Sequence, residues 1–108
     1  MSSLTSTILV QYRVKAERAA ENEALIGRVF AALVRDQPDG IRYVSFKAAD
    51  GVSFTHLALI ETDDGRNPLL ALEAFTAFAR TIRDRCETPP HTTELAVVGS
   101  YRCFPAGP

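Results

Sequence analysis

Residues 41–62 read IRYVSFKAADGVSFTHLALIET, two strand-like runs joined at Asp50-Gly51. Asp-Gly is the dipeptide favoured by two-residue hairpin turns, whose central positions need positive φ. Such a turn pairs Ala49 with Val52. Pairing then runs outward symmetrically, setting Ser45 opposite His56 and Tyr43 diagonal to His56 on the same face. One face of this hairpin carries Val44, Phe46, Leu57 and Leu59. The other carries Ile41, Tyr43, Phe54, Ala58 and Ile60, so both faces call for burial.

Upstream, Ile8, Val10, Tyr12 and Val14 alternate with Leu9, Gln11 and Arg13, the period of a first strand. From Ala16 to about Arg35 the period becomes helical, with Leu25/Ile26, Val29/Phe30 and Leu33/Val34 on one side and Glu17, Arg18, Glu21, Glu23 and Arg28 mostly on the other. The segment Asp36-Gln37-Pro38-Asp39-Gly40 stops that helix, because proline disfavours helical backbone at the residue before it and glycine permits a reversal. Downstream of the hairpin, Asn67 is placed to cap a second helix with Pro68 at its first position. That helix is expected to run from Pro68 to Cys86 on an inner stripe of Leu72, Phe75, Phe78/Ala79, Ile82 and Cys86, ended by Thr88-Pro89-Pro90. Alternation from Thr92 to Phe104 marks a final strand, followed by the tail 105–108.

The order is β-α-β-β-α-β in a single domain of 108 residues, with a core over about residues 4–104. The expected fold is α+β and ferredoxin-like: a four-stranded antiparallel sheet with two helices on one face. Two helices cover one sheet face only. The apolar second face therefore predicts a second sheet against it, supplied by an identical subunit in a homodimer.

Lys and Arg total 12 against 13 Asp and Glu, a net charge of −1, and the basic residues are dispersed, which argues against nucleic acid as a partner. No apolar stretch is long enough to span a membrane and no leader pattern opens the chain, so a cytoplasmic protein is expected. Cys86 and Cys103 lack metal-ligand spacing and are expected as buried thiols. No metal or cofactor motif is present: there is no phosphate loop, Cys-x-x-Cys, His-x-x-x-His or nucleophile elbow.

Taken together, the segments YRVKAERAAENEALI (12–26), DGVSFTHLALIE (50–61), FTAFARTIRDRC (75–86) and ELAVVGSYR (94–102) resemble the antibiotic biosynthesis monooxygenase-like domains of the dimeric α/β-barrel superfamily. The resemblance implies a homodimer whose two sheets close into a barrel, with a small pocket in each subunit between sheet and helices. Some members of that family oxidise aromatic polyketides without metal or flavin, and others degrade haem. This chain has no tryptophan, so the tryptophan-asparagine set of those members does not transfer. The second helix has no histidine to ligate haem.

The candidate catalytic residues are His56, as a base for an acidic phenol or enol, with Tyr43 as a hydrogen-bond donor to substrate and Ser45 fixing the imidazole tautomer. The alternative is a half-buried histidine satisfied by Ser45 with no substrate at all. Candidate ligand-binding residues are Asn22 on the inner side of the first helix, the aromatic pair Phe75 and Phe78, and Arg83 as an anion anchor. Each has a plainer alternative: a stripe-edge amide, core packing, and a solvated helix end shared with Arg80 and Arg85. The function expected is binding of a small apolar or aromatic molecule, with cofactor-independent monooxygenation as the chemistry. The rival is a non-catalytic ligand-binding or structural dimer module.

Overall fold

A computed structural model describes residues 6–103; the starts and ends expected at residues 4, 104 and 105–108 lie outside them. Strands β1 (Ser6–Val14), β2 (Ile41–Lys47), β3 (Ser53–Ile60) and β4 (Cys86–Leu95) form one sheet in the order β2-β3-β1-β4, every neighbouring pair antiparallel. Helix α1 (Ala19–Asp36) joins β1 to β2, and helices α2 (Glu73–Arg80) and α3 (Ile82–Arg85) join β3 to β4. This is the expected β-α-β-β-α-β ferredoxin-like arrangement.

The helices pack on the sheet face that carries Tyr12, Val14 and Phe54, where Val29, Leu69 and Phe78 complete the core. Leu69 and Val29 are fully buried, and each such side chain contributes about 1.5–3 kcal/mol by leaving water. On the opposite face Val44 and Phe46 remain 40% and 54% exposed beside half-buried Leu9 and Leu57. The one-sided cover anticipated from the alternation is thus present in the subunit.

The hairpin keeps its expected register, with Ser45 opposite His56 and Tyr43 opposite Ala58. Its turn differs. Ala49 and Val52 do not pair; the connection is a four-residue loop closed by Ala48 N–H to Ser53 C=O (2.9 Å) and Gly51 N–H to Ala48 C=O (3.0 Å). The Asp50 carboxylate accepts from the backbone N–H groups of Val52 and Ser53 and from the Ser53 hydroxyl, which holds its pKa down at about 2. The Val52 carbonyl is taken instead by Val14 N–H at 2.9 Å, tying the hairpin to β1. The longer loop has the same centre as the two-residue turn, so the register survives.

Helix α1 ends at Asp36 with Gln37 in the left-handed conformation (φ 46°), its N–H donating to Leu33 C=O. Pro38 denies Gln37 the helical conformation, and the left-handed cap is the alternative that still satisfies a terminal carbonyl.

The second helical segment is not one helix from Pro68 to Cys86. Asn67 caps as expected, its side chain accepting from Leu69 N–H at 3.0 Å, but the turn it caps is a short 3-10 piece, Pro68–Ala71. Leu72 is extended and buried, and Thr81 breaks the chain again before α3. The last strand also moves: β4 begins at Cys86, passes through Pro89-Pro90 and ends at Leu95, so His91 lies on a strand and residues 96–103 form none. Prolines are tolerated there because β4 is an edge strand, with unpaired backbone on its outer side. Pairing of β4 with β1 ends at Leu95, opposite Thr7. Val97, Val98 and Tyr101 are consequently exposed. Cys86 is half-buried on β4, with its thiol pKa raised by burial, and Cys103 is exposed rather than buried.

Candidate functional site

Three adjacent strands bring Tyr43 (β2), His56 (β3) and Tyr12 (β1) side by side on the helix-facing side of the sheet. The imidazole lies between the two phenol rings, with centroids 5.3 Å from Tyr12 and 5.9 Å from Tyr43 and near-parallel planes. Phe78 of α2 meets it edge-on at 5.5 Å. His56 is 3% exposed.

Every polar atom of this cluster is engaged. Tyr12 Oη is 2.7 Å from His56 Nε2, while Ser45 Oγ and Tyr43 Oη are 2.5 and 3.2 Å from His56 Nδ1. Behind Tyr12, the Asn22 amide nitrogen donates to its hydroxyl at 2.9 Å. Asn22 Oδ1 in turn accepts from Arg85 Nε at 2.9 Å. Arg85 also donates to Thr81 Oγ1 at 2.6 Å and to the Phe78 carbonyl at 3.1 Å, and its guanidinium lies 5.1 Å from the Phe78 ring centroid. Asn22 and Arg85 are both fully buried.

The direction of these bonds follows from what each group can do. A guanidinium only donates, so the Asn22 atom facing Arg85 is the oxygen and the atom facing Tyr12 is the NH2. Tyr12 therefore accepts from Asn22, and its own buried hydrogen has His56 Nε2 as acceptor. A neutral imidazole that accepts at Nε2 carries its hydrogen on Nδ1, where Ser45 Oγ receives it. Burial pushes the His56 pKa down to about 4, so the ring is neutral near pH 7. Burial likewise raises both phenols, Tyr43 to about 12 and Tyr12 further, so each stays protonated as a donor.

A cavity of about 190 Å³ opens beside this cluster, lined by Tyr43, His56, Asn67, Phe75, Phe78 and Ile82 among mainly apolar neighbours. Four expected site residues thus lie at its wall: His56, Tyr43, Phe75 and Phe78. Ser45 and Asn22 do not line it. They sit behind His56 and Tyr12 and act on the cavity through them. Arg83 is exposed and outside the wall; the arginine that enters the interior is Arg85, grouped in the sequence with a solvated helix end. Its position seven residues after Phe78 and three after Ile82 puts it on their helical stripe, a signal its charge obscured. Tyr12 stood on the inner face of β1, but its contact with His56 needed the β1–β3 register, which no local pattern provides. The Nε2 of His56 accepts from Tyr12, and burial keeps the ring neutral. Among the described residues, no three His, Cys, Asp or Glu side chains converge as a metal site, and no helix is long and apolar enough to cross a membrane.

No family model and no curated protein matches the sequence. Solved structures do match the fold. SnoaB, a cofactor-independent oxygenase from Streptomyces nogalater, is 19% identical with a TM-score of 0.67, covering 91% of this chain and 97% of its own. A protein of unknown function from Nitrosomonas europaea is 14% identical with a TM-score of 0.73 over 95% and 96%. An antibiotic biosynthesis monooxygenase is 14% identical with a TM-score of 0.70 over 89% and 100%. The chain thus shares the ferredoxin-like fold of these structures. Its structural neighbours comprise such proteins together with members of unknown function.

The neutral state of His56 has a measurable consequence. Its pKa falls from 6.5 to about 4 on folding, so between those values the unfolded chain binds a proton that the folded chain refuses. Stability from this group is complete above pH 6.5 and is lost as the pH falls toward 4, by on the order of 3 kcal/mol. Urea unfolding from pH 7 to 4 should show a steeper loss for the native chain than for His56→Gln. Parallel pH profiles for the two would contradict the assignment.

Proposed function

We propose that this chain binds one small, largely apolar or aromatic molecule in the cavity beside His56, and that it does so as a homodimer. The observation that carries the proposal is the cavity itself: an apolar chamber between Phe75, Phe78 and Ile82 whose few polar wall groups include Tyr43 and His56. Its size suits a molecule of about one substituted ring, below the usual range for drug-sized ligands. Cofactor-independent oxygenation is the chemistry such a chamber can host. The bound substrate, once ionised, supplies the electrons, and the protein supplies a dry site and hydrogen bonds to the developing charge. The likeness in fold to SnoaB supports this chemistry. The engaged state of both His56 nitrogens supports the second reading, a non-catalytic ligand-binding module.

Oxygen consumption across a panel of phenols and hydroxyquinones separates the two readings. Uptake is expected with at least one compound that binds, with kcat/KM reduced about tenfold or more in His56→Ala. Compounds that bind without any uptake would establish the non-catalytic module, and a full rate in His56→Ala would remove His56 from the chemistry.

The homodimer rests on the open sheet face around Phe46, Val44 and Leu57. Light scattering at micromolar concentration should give the mass of two chains, falling to one in Phe46→Asp. A single-chain mass for the unaltered protein would contradict it.

A further inference from the structure

Residues 96–103 follow β4 and pair with no strand among the described residues, and every one of them is exposed. Six of them, Ala96-Val97-Val98-Gly99-Ser100-Tyr101, nevertheless have the composition of a strand. They carry no charge, and both parities are apolar, with Val97 and Tyr101 on one and Ala96 and Val98 on the other. A strand apolar on both sides belongs where both sides are covered. At the opposite edge of the sheet, β2 has only β3 as a neighbour, so the N–H and C=O of every second residue in Ile41–Lys47 face outward. That edge is apolar on both sides too. On the helix side a groove runs along it, walled by Phe30, Leu33 and Val34 of α1 with Ile41 and Tyr43 of β2, and Val34 is 74% exposed. On the other side stand exposed Val44 and Phe46.

We propose that residues 96–101 of one copy add a strand to the free β2 edge of a second copy, one parity of side chains entering the α1 groove and the other lying beside Val44 and Phe46. This rests on the homodimer reading above and names the segment that joins the two chains. The occupant is a second copy because each chain carries both halves of the contact, so a two-fold pair makes it twice and leaves neither segment nor groove exposed. Its own chain cannot supply the contact. β2 and β4 stand three strand spacings apart, about 14 Å, and six extended residues span about 20 Å, so crossing the sheet would consume most of the residues that are to pair. The contact is also continuous with the open sheet face, since Val44 and Phe46 belong to both. Tyr43 lines the groove as well as the cavity beside His56, and its ring stacks on Phe30 at 5.3 Å. The seat of the partner's segment is therefore the outer side of the cavity's own wall.

Light scattering and amide hydrogen exchange on the full chain test this. Val97, Val98 and Val34 are all exposed in the subunit, so Val97→Asp combined with Val98→Asp, and separately Val34→Asp, leave the subunit fold in place. Each variant should weaken dimerisation by about tenfold or more. All three substitutions together should lose no more than about what either variant loses, because they break one contact. In the unaltered dimer the outward N–H groups of Ile41–Lys47 and the amides of residues 96–101 should exchange slowly, and both sets should become fast together in either variant and on dilution to single chains. If the unaltered protein is dimeric but neither variant changes its dissociation, or if the outward β2 amides exchange fast in the dimer, the strand addition is overturned while the homodimer on the open sheet face stands. Protection of residues 96–101 that persists in single chains would also overturn it, since the segment would then pair within its own chain. If the unaltered protein has the mass of one chain at micromolar concentration, the homodimer reading fails and this inference fails with it.

Discussion

The hydrogen bond from Arg85 to Asn22 orders the buried polar cluster of Asn22, Tyr12 and His56. Arginine has no acceptor, so a single contact decides which way the Asn22 amide faces, which way the Tyr12 hydroxyl points, and which nitrogen of His56 bears the proton. All three groups are buried from solvent. In a low-dielectric interior, a donor facing a donor costs a large fraction of a small domain's stability, so the alternatives are removed by energy rather than by sterics. The side chains come from α1, α3, β1, β2 and β3, and the network therefore also fastens the helices to the sheet. Its cooperative character makes it a poor candidate for gradual change: replacing one member leaves its neighbour buried and unpartnered.

This ordering alters what His56 can do. A histidine in a cleft suggests proton abstraction, and pKa near neutrality is the usual warrant. Here burial keeps the ring neutral, and its one accepting nitrogen faces Tyr12 rather than the cavity. The cavity beside it is mainly apolar, with Tyr43 and His56 among its few polar wall groups.

Local pattern made much of the fold legible in the sequence. The hairpin register follows from a turn centred between Asp50 and Gly51, and it held although the loop is longer than a two-residue turn, because the centre did not move. The end of α1 follows from Pro38. What the sequence concealed depends on contacts distant along the chain. Tyr12 reaches His56 only because β1 pairs with β3 in a particular register, and β4 begins at Cys86 because that residue pairs with Val14. Pro89 and Pro90 pointed to a break, and that inference fails on an edge strand. Arg85 was hidden by its charge, since a basic residue near a helix end ordinarily belongs to solvent. His56, Tyr43 and Ser45 were identified together from hairpin geometry, whereas their partners Tyr12 and Arg85 were not.

The fold shared with SnoaB and with proteins of unknown function at identities below 20% leaves the interior of each free to differ. In this chain the interior is arranged around a buried arginine, and the direction of its hydrogen-bond chain is open to direct observation. Nitrogen chemical shifts of the His56 ring, recorded by NMR at pH 6 to 7, should show a neutral imidazole with its hydrogen on Nδ1 and an acceptor Nε2. A neutral ring with its hydrogen on Nε2, or a protonated ring in that range, would contradict it.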